Sequence, residues 1–418
     1  MIPRHRPPFR LATLAAAVIP GFGEHKAEQL EDAYAKAINA PHAVWLPSAR
    51  YGIFQAINIS LGLKDHVYCP AFTCHVVHQA VRQTARPITL VDCSTDDPLM
   101  QTSGICNQNE YGVVLSEVFG IRYHTPAASN FLRGAGLRIF DMAMCIPTPQ
   151  DIQRLVDSDV ALISFGLGKS LYAGWGGMAF TKDRRMAESL RKLRDQDIRP
   201  DSLPSALRKT ASVWLRTAAH SQPLYKFSRR AASSRSEVVA DSEQHQFSAS
   251  AAEKLHTSEW HQPATSFHLK LAAANLRHSK KFIEDRISYS NIYRSELNSL
   301  SLNTSGNEAT LLTLPPECSD AMSHFCVRVN GNHRDVIRTY LWQNGIDTAT
   351  LFPFPVAADP AAFPNAFRLT QEILGLPLSN GLGEHSIRHI CSLLHLFVNT
   401  HTTTLKQPQP TKLDRHAA

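Results

Sequence analysis

The order of apolar and polar positions along the 418-residue chain divides it into parts of different character. In the first part, short apolar runs of strand type alternate with stretches of helical period. Residues 24–38 have helical spacing, with Leu30, Ala33, Tyr34 and Ala37 on one face. Ala43–Leu46 reads as a strand, residues 50–61 as a helix, Val67–Cys69 as a strand and residues 76–84 as a helix. Ile88–Val91, Gly112–Leu115, Leu137–Phe140 and Val160–Phe165 are further strands, and Met178-Ala179-Phe180 is one more apolar run. Strand and helix in alternation predict an α/β fold, a mainly parallel sheet covered on both faces by helices. Such sheets bind ligands at the carboxyl ends of their strands.

From Arg184 to about His278 the pattern changes to one rich in Ser, Ala, Arg and Lys, which predicts helices and loops. A basic stretch, 208–235, also carries Trp214, Leu215, Tyr225 and Phe227. It reads either as a helical cover over the active-site mouth or subunit interface, or as a surface for an anionic membrane. Residues 267–297 have the period of a long helix. Phe325–Val329 as strand and residues 334–344 as helix suggest a small α+β unit. The expected organisation is a large domain over 1–265 with an atypical helical, basic insertion at about 184–260, a small C-terminal α+β domain over 266–400, and a disordered polar tail, 401–418.

Composition narrows the class. With 43% hydrophobic and 19% charged residues the chain has the balance of a soluble globular protein. A formal charge of +7 is modest for this length and comes without zinc-finger spacing or an aromatic-basic repeat, so no nucleic-acid partner is expected. The cysteines, at 69, 74, 93, 106, 145, 318, 326 and 391, include no C-x-x-C pair, which predicts reduced, mostly buried thiols of a cytoplasmic protein. Arg4, Arg6 and Arg10 precede the apolar run Leu11–Ile19 as in a signal peptide. No small-residue cleavage region follows, however, and the run is too short to span a membrane. His385 and His389 have i, i+4 spacing but no third ligand, so no metal is expected; His261 and His324 are candidates for lining a pocket.

Candidate chemistry concentrates at Lys169. It follows an apolar strand and sits in a glycine-dense turn, so one ammonium group is held at a strand end where backbone can approach a ligand. Gly168-Lys169-Ser170 is not a phosphate loop, since the Walker pattern requires a glycine where Ile163 stands. A lysine so placed fits a Schiff base with a carbonyl cofactor, pyridoxal 5'-phosphate above all; a surface lysine in a hairpin turn is the plainer alternative. The cofactor also needs a carboxylate on its pyridine nitrogen, a phosphate cradle and packing on the ring. Asp141 ends a strand 28 residues before Lys169 and suits the carboxylate, although a helix-capping aspartate has the same setting. Leu46–Gly52 has the strand-to-helix form of a phosphate site, with Ser48 and Arg50 as donors, and Ser164 offers a second hydroxyl.

With these pieces together, the sequence resembles the DegT-type sugar aminotransferases, a family of aspartate-aminotransferase-like pyridoxal-phosphate enzymes, over nearly the whole chain outside 184–260. Residues 164–177 satisfy the family's lysine motif, Ser-Phe-x-x-x-Lys-x-Leu-x-x-Gly-x-Gly-Gly. Pro47-Ser48-Ala49-Arg50 corresponds to its Ser-Gly-Thr phosphate turn, and Asp141–Met144 to its Asp-Ala-Ala-Gln site. Tyr68–Cys74 and Pro87–Asp92 are similar to its Pro-x-x-Thr-aromatic segment and the strand that follows, as are Asn344–Thr348 and Leu374–Leu378 to its C-terminal signatures. The resemblance implies a mixed, mainly parallel seven-stranded sheet, a homodimer, and Lys169 as the catalytic lysine. It implies that Asp141, Ser164, Ser48, Ala49, Arg50, Cys74, Ala143 and Met144 surround the cofactor.

The implied reaction moves an amino group from L-glutamate or L-glutamine to a keto group of a nucleotide-linked sugar or a cyclitol, in pathways such as surface-polysaccharide synthesis. The positive charge suits a nucleotide diphosphate. Departures from the pattern are specific. Met144 replaces a glutamine that faces the cofactor's phenolic oxygen. Cys74 stands where a ring-stacking aromatic is usual, with Phe72 or His75 as substitutes. Arg50 replaces a threonine. The Gly-x-Asn-x-Arg segment, through which a partner subunit reaches the phosphate, is not recognisable near Glu259–Pro263. Lys169 argues against the branch that carries histidine there and dehydrates. Met144 and Cys74 leave open a pyridoxal-phosphate lyase or dehydratase, and 208–235 a non-catalytic, membrane-associated member.

Overall fold

The structure, a computed structural model, describes residues 1–9, 11–18, 26–105, 109–124, 129–199, 201–233, 262–298, 311–315, 318–329, 333–352 and 359–401. Expectations for Pro20–Gly23, Cys106, Glu259–His261 and the tail beyond His401 fall outside the described residues.

The apolar runs of the first half form one sheet: β1 (His42–Leu46), β2 (His66–Pro70), β3 (Ile88–Val91), β4 (Tyr111–Ser116), β5 (Leu137–Asp141), β6 (Asp159–Ser164) and β7 (Gly177–Thr181), in the order β1-β7-β6-β5-β4-β2-β3. The strands from β2 to β6 pair in parallel, whereas β7 is antiparallel to both β6 and β1. This is the mainly parallel sheet that the pattern predicts, in the mixed seven-stranded form that the resemblance implies. Alternation divides each strand between two cores. Val44 and Leu46 face one core with the helices Ala49–Ser60 and Arg184–Asp197, and Ala43 and Trp45 face the other with the helices Ala27–Ala37 and Ser266–Leu297. Burial on both faces explains why these strands read as near-continuous apolar runs. Arg138 interrupts β5, but it lies opposite Asp159 in the register and donates twice to its carboxylate at 2.8 Å.

A second, antiparallel sheet, β8 (Leu311–Leu314), β9 (Phe325–Val329) and β10 (Ile373–Leu376), has the order β10-β9-β8 and packs with the helices Arg334–Gln343 and Glu384–His401. Between the sheets in sequence lie the helices Arg184–Asp197, Leu203–Ala219 and Gln222–Ser233. No described helix is long and apolar enough to cross a membrane. Leu14 and Ala17 of the Leu11–Val18 helix are buried.

One expectation is corrected. In the Ala27–Ala37 helix Leu30 and Tyr34 are buried, but Ala33 and Ala37 are exposed, and Glu31 and Ile38 complete the inner face. The Glu31 carboxylate accepts from Trp45 N (2.8 Å), Arg194 (2.6 Å) and Arg191 (2.9 Å). A fully partnered charge thus takes a place where an alanine methyl gains little by burial.

Candidate active site

The carboxyl ends of the parallel strands supply the polar groups. Register sets Ser116, the last residue of β4, beside Asp141, the last of β5. The final residue of β6, Ser164, and that of β1, Leu46, both lie opposite Gly177. Lys169 belongs to the loop from β6 to β7. Its frame is set by Phe165, whose carbonyl accepts from Ala173 N (2.9 Å) and Gly174 N (3.1 Å) and whose N–H donates to Gly176 O (2.9 Å). Gly174 and Gly176 have φ of +95° and +104°, a conformation that favours glycine. An added Cβ at Gly176 would lie 2.1 Å from the Trp45 ring, and one at Gly177 would lie 2.6 Å from Ala49 N. The lysine loop is therefore pressed against the Pro47–Arg50 turn.

A cavity of about 420 Å³ opens between them, lined by Ser48, Ala49, Arg50, Cys74, Asp141, Ala143, Ser164 and Lys169. Met144 lines a smaller adjoining hollow with Thr73, Ser116, Glu117 and Phe352; the two share Cys74, Asp141, Ala143 and Lys169. The structure thus brings all nine sequence candidates to one place.

Their chemistry differs by neighbourhood. Asp141 accepts from Ala143 N (3.2 Å) and from Ser116 Oγ (3.5 Å), and Ser116 Oγ accepts in turn from Thr73 Oγ1 (2.8 Å). Burial raises its pKa, and the nearby Lys169 charge pulls the other way. No helix starts at Asp141, so it is not a helix cap. Ser48 is a cap: its Oγ accepts from Tyr51 N (3.2 Å), which leaves the hydroxyl proton for a ligand at the N-terminus of the Ala49–Ser60 helix. Ser164 Oγ accepts from Gly166 N (3.3 Å). Of the three candidates for packing on a ring, Phe72 is buried edge-on against Phe119 and Phe352 (5.9 and 5.5 Å) and lines neither hollow, whereas Cys74 lines both. The Cys74 thiol lies 3.9 Å from His75 Nδ1, and the His75 pKa is pushed down to about 4 by burial and then by Arg50. His324 stacks on His5 (6.2 Å) outside the cavity and is held neutral, its pKa about 3, by burial and then by Arg286. His261 lies outside the described residues.

Sequence reasoning missed Thr73, Ser116, Trp175 and Arg216. Ser116 carried a usable signal, a polar residue closing an apolar strand as Asp141 does. Arg216, which lines the cavity from the Leu203–Ala219 helix, carried none. Tyr172 Oη lies near its guanidinium; burial pushes the Tyr172 pKa up to about 12, against the lowering effect of Arg216.

A buried carboxylate, an amine, a hydroxyl and a guanidinium at a helix N-terminus with a second hydroxyl and guanidinium in the same lining, and glycines that let backbone close in together fit pyridoxal phosphate. Comparisons point to the same group of enzymes. The model of the DegT/DnrJ/EryC1/StrS aminotransferase family matches residues 19–238 and 265–395. No curated protein matches the chain. Among solved structures, DesV of S. venezuelae is 20% identical, with a TM-score of 0.65 over 93% of each chain. Sugar aminotransferase CalS13 from Micromonospora echinospora is 16% identical, with a TM-score of 0.64 over 94% of this chain and 99% of that one. Spr1654 from Streptococcus pneumoniae in its PLP form is 15% identical, with a TM-score of 0.65 over 95% and 98%. At such identities these likenesses establish the fold.

Proposed function

The chain belongs to the DegT/DnrJ/EryC1/StrS aminotransferase family and is a pyridoxal-phosphate-dependent enzyme, and from that premise we propose that it moves an amino group from L-glutamate or L-glutamine to a keto group of a nucleotide-linked sugar or related carbohydrate. The observation that carries this reading is the convergence of Lys169, Asp141 and the Pro47–Arg50 turn on one cavity.

Each residue has a task that its surroundings support. Asp141, buried at the end of β5, would hold a proton on the ring nitrogen through its carboxylate. Ser48, Ala49 N–H, Arg50 and Ser164 hold the phosphate at the helix N-terminus. Cys74 and Ala143, which line both hollows, would pack against the ring, and Met144, which lines the smaller one, would face it from there. Held in this way, the cofactor supplies an electron sink for charge that develops on the substrate carbon. Lys169 Nζ anchors the cofactor. It also takes a proton from the donor's α-carbon and returns one to the acceptor carbon. Family membership also supports a homodimer working in the cytoplasm, with a product destined for a surface polysaccharide or similar glycoconjugate.

The test is spectroscopic. Wild-type protein is expected to show the visible absorbance of lysine-bound cofactor and to lose it on addition of L-glutamate. Lys169→Ala should lack both the absorbance and turnover. Cofactor absorbance that responds to no amino donor would refute transamination, and an active Lys169→Ala protein would refute the site.

A further inference from the structure

We propose that Arg216, on the chain's own Leu203–Ala219 helix, is a phosphate ligand of the cofactor site. With Arg50 it would form a two-guanidinium clamp across the cavity mouth. The inference rests on the reading of the cavity as a pyridoxal-phosphate site and extends it to a helix that supplied none of the candidate site residues read from the sequence.

The sequence already makes this helix a source of cations. Between Asp201 and Glu237 there is no acidic residue, while Arg208, Lys209, Arg216, Lys226, Arg229, Arg230 and Arg235 all lie there. Helical geometry decides which of them can face the site, since residues 209, 213 and 216 are spaced i, i+4, i+7 and share one face. Two of the three fix that face against the lysine loop. Lys209 donates to Pro263 O (2.9 Å), pairs with Asp201 (2.8 Å) and lies over the Trp175 ring at 5.3 Å. Val213 is buried so closely against the loop that a Cβ on Gly174 would come within 2.3 Å of its Cγ2. Leu207 and Leu215, which point away, are exposed. The rotation and axial position of the helix are thereby set, and the next residue on the anchored face, Arg216, reaches the cavity rim.

The charge there calls for an anion. Lys209 is paired with Asp201, but no described carboxylate pairs with Arg216. The cavity lining presents Arg50, Arg216 and Lys169 against one carboxylate, Asp141. The Ser48 hydroxyl at a helix N-terminus and the Ser164 hydroxyl at the end of β6 are of the kind that bind a phosphate monoester. A dianion held there gains a planar, forked donor from Arg216, supplied by the same chain that supplies Lys169.

The experiment titrates the apoprotein with pyridoxal phosphate and, separately, with pyridoxal, which lacks the phosphate, and reads the visible absorbance. Circular dichroism and melting establish that each variant is folded. Arg216→Ala should weaken pyridoxal phosphate by about tenfold or more and leave pyridoxal within about twofold of wild type. Arg216→Lys should recover part of the loss, and Arg208→Ala, a cation outside the cavity, should change neither. Unaltered binding of pyridoxal phosphate by folded Arg216→Ala overturns the assignment, and so does an equal loss of both compounds. A wild-type protein that takes up no pyridoxal phosphate overturns the underlying reading as well, which separates the two failures.

Discussion

Gly177 offers the sharpest test of how the lysine loop and the phosphate turn depend on each other. A methyl group there would lie 2.6 Å from Ala49 N, 2.8 Å from Ser48 C and 3.0 Å from Ile163 O. All three are backbone atoms, which cannot swing aside as the tip of a side chain can. Ordinary contact needs about 3.5–4.0 Å, so Gly177→Ala must drive the turn at residues 48–49 away from β6 and β7. Overpacking of this kind costs roughly 1–3 kcal/mol. The displaced atoms include Ser48 and the first turn of the Ala49–Ser60 helix, so cofactor affinity should fall by about tenfold together with stability. Gly52→Ala is the comparison. It lies further along the same helix, and its methyl would meet Leu162 Cδ2 (2.6 Å) and Leu46 Cδ1 (2.9 Å), movable side-chain ends. The gain in helix propensity, about 1 kcal/mol, offsets part of that strain. Urea unfolding and titration with pyridoxal phosphate read both variants. If Gly177→Ala matches Gly52→Ala in stability and in cofactor affinity, the close backbone contact between loop and turn is not what shapes the site.

Two further perturbations probe buried charge. Burial holds the Asp141 carboxyl above its ordinary value of 3.8. Without cofactor its stabilising form is therefore the protonated one, fully present below that ordinary value and lost as pH rises through the raised one. Apo Asp141→Asn should accordingly melt at or above the wild type at about pH 8, with the gap closing toward acid, while its affinity for pyridoxal phosphate falls; a variant that melts lower than the wild type at the alkaline end contradicts this. Glu31 accepts from both Arg191 and Arg194 and also takes the Trp45 N–H. Glu31→Ala leaves Arg194 largely buried with the exposed Asp195 and the Trp45 carbonyl as its described partners and should cost roughly 3 kcal/mol in urea unfolding. A loss below about 1 kcal/mol would mean that solvent reaches the guanidinium.

The sheet was legible because most of its strands are buried on both faces and so leave near-continuous apolar runs, and in β4 and β5 a polar residue closes the run and marks the strand end. Asp141 could be placed in this way, and Ser116 had the same mark, whereas Ser164 was placed by its distance from Lys169. What could not be read depends on partners distant in sequence. Glu31 looks like a solvent residue until Arg191, 160 positions later, reaches it. Ala33 and Ala37 fit the helical period, but period alone does not say whether a small methyl or a neutralised carboxylate fills the inner face. The Leu203–Ala219 helix shows two faces in sequence, yet nothing in it tells that Val213 meets Gly174 and so turns Arg216 toward the cavity. Phe72 and Cys74 are two residues apart, and only tertiary packing against Phe119 and Phe352 decides which one meets the cavity.

These displaced and added groups have a common direction. At the ring end of the proposed site, Met144 cannot donate a hydrogen bond to an oxygen, and Cys74 offers far less surface for stacking than an aromatic residue. At the phosphate end stand two guanidinium groups, Arg50 and Arg216, where hydroxyls and a helix N-terminus would already bind an anion. In the proposed site, grip on the cofactor would therefore rest less on ring contacts and more on charge. The proposed ring-nitrogen contact at Asp141 would be the main fixed point at the other end, so that the two ends, more than the faces between them, would orient the cofactor. A site arranged in this way holds its cofactor by its phosphate and leaves the space beside the ring to the substrate. In that space Met144 and Cys74 present soft, adaptable surface to whatever carbonyl compound enters.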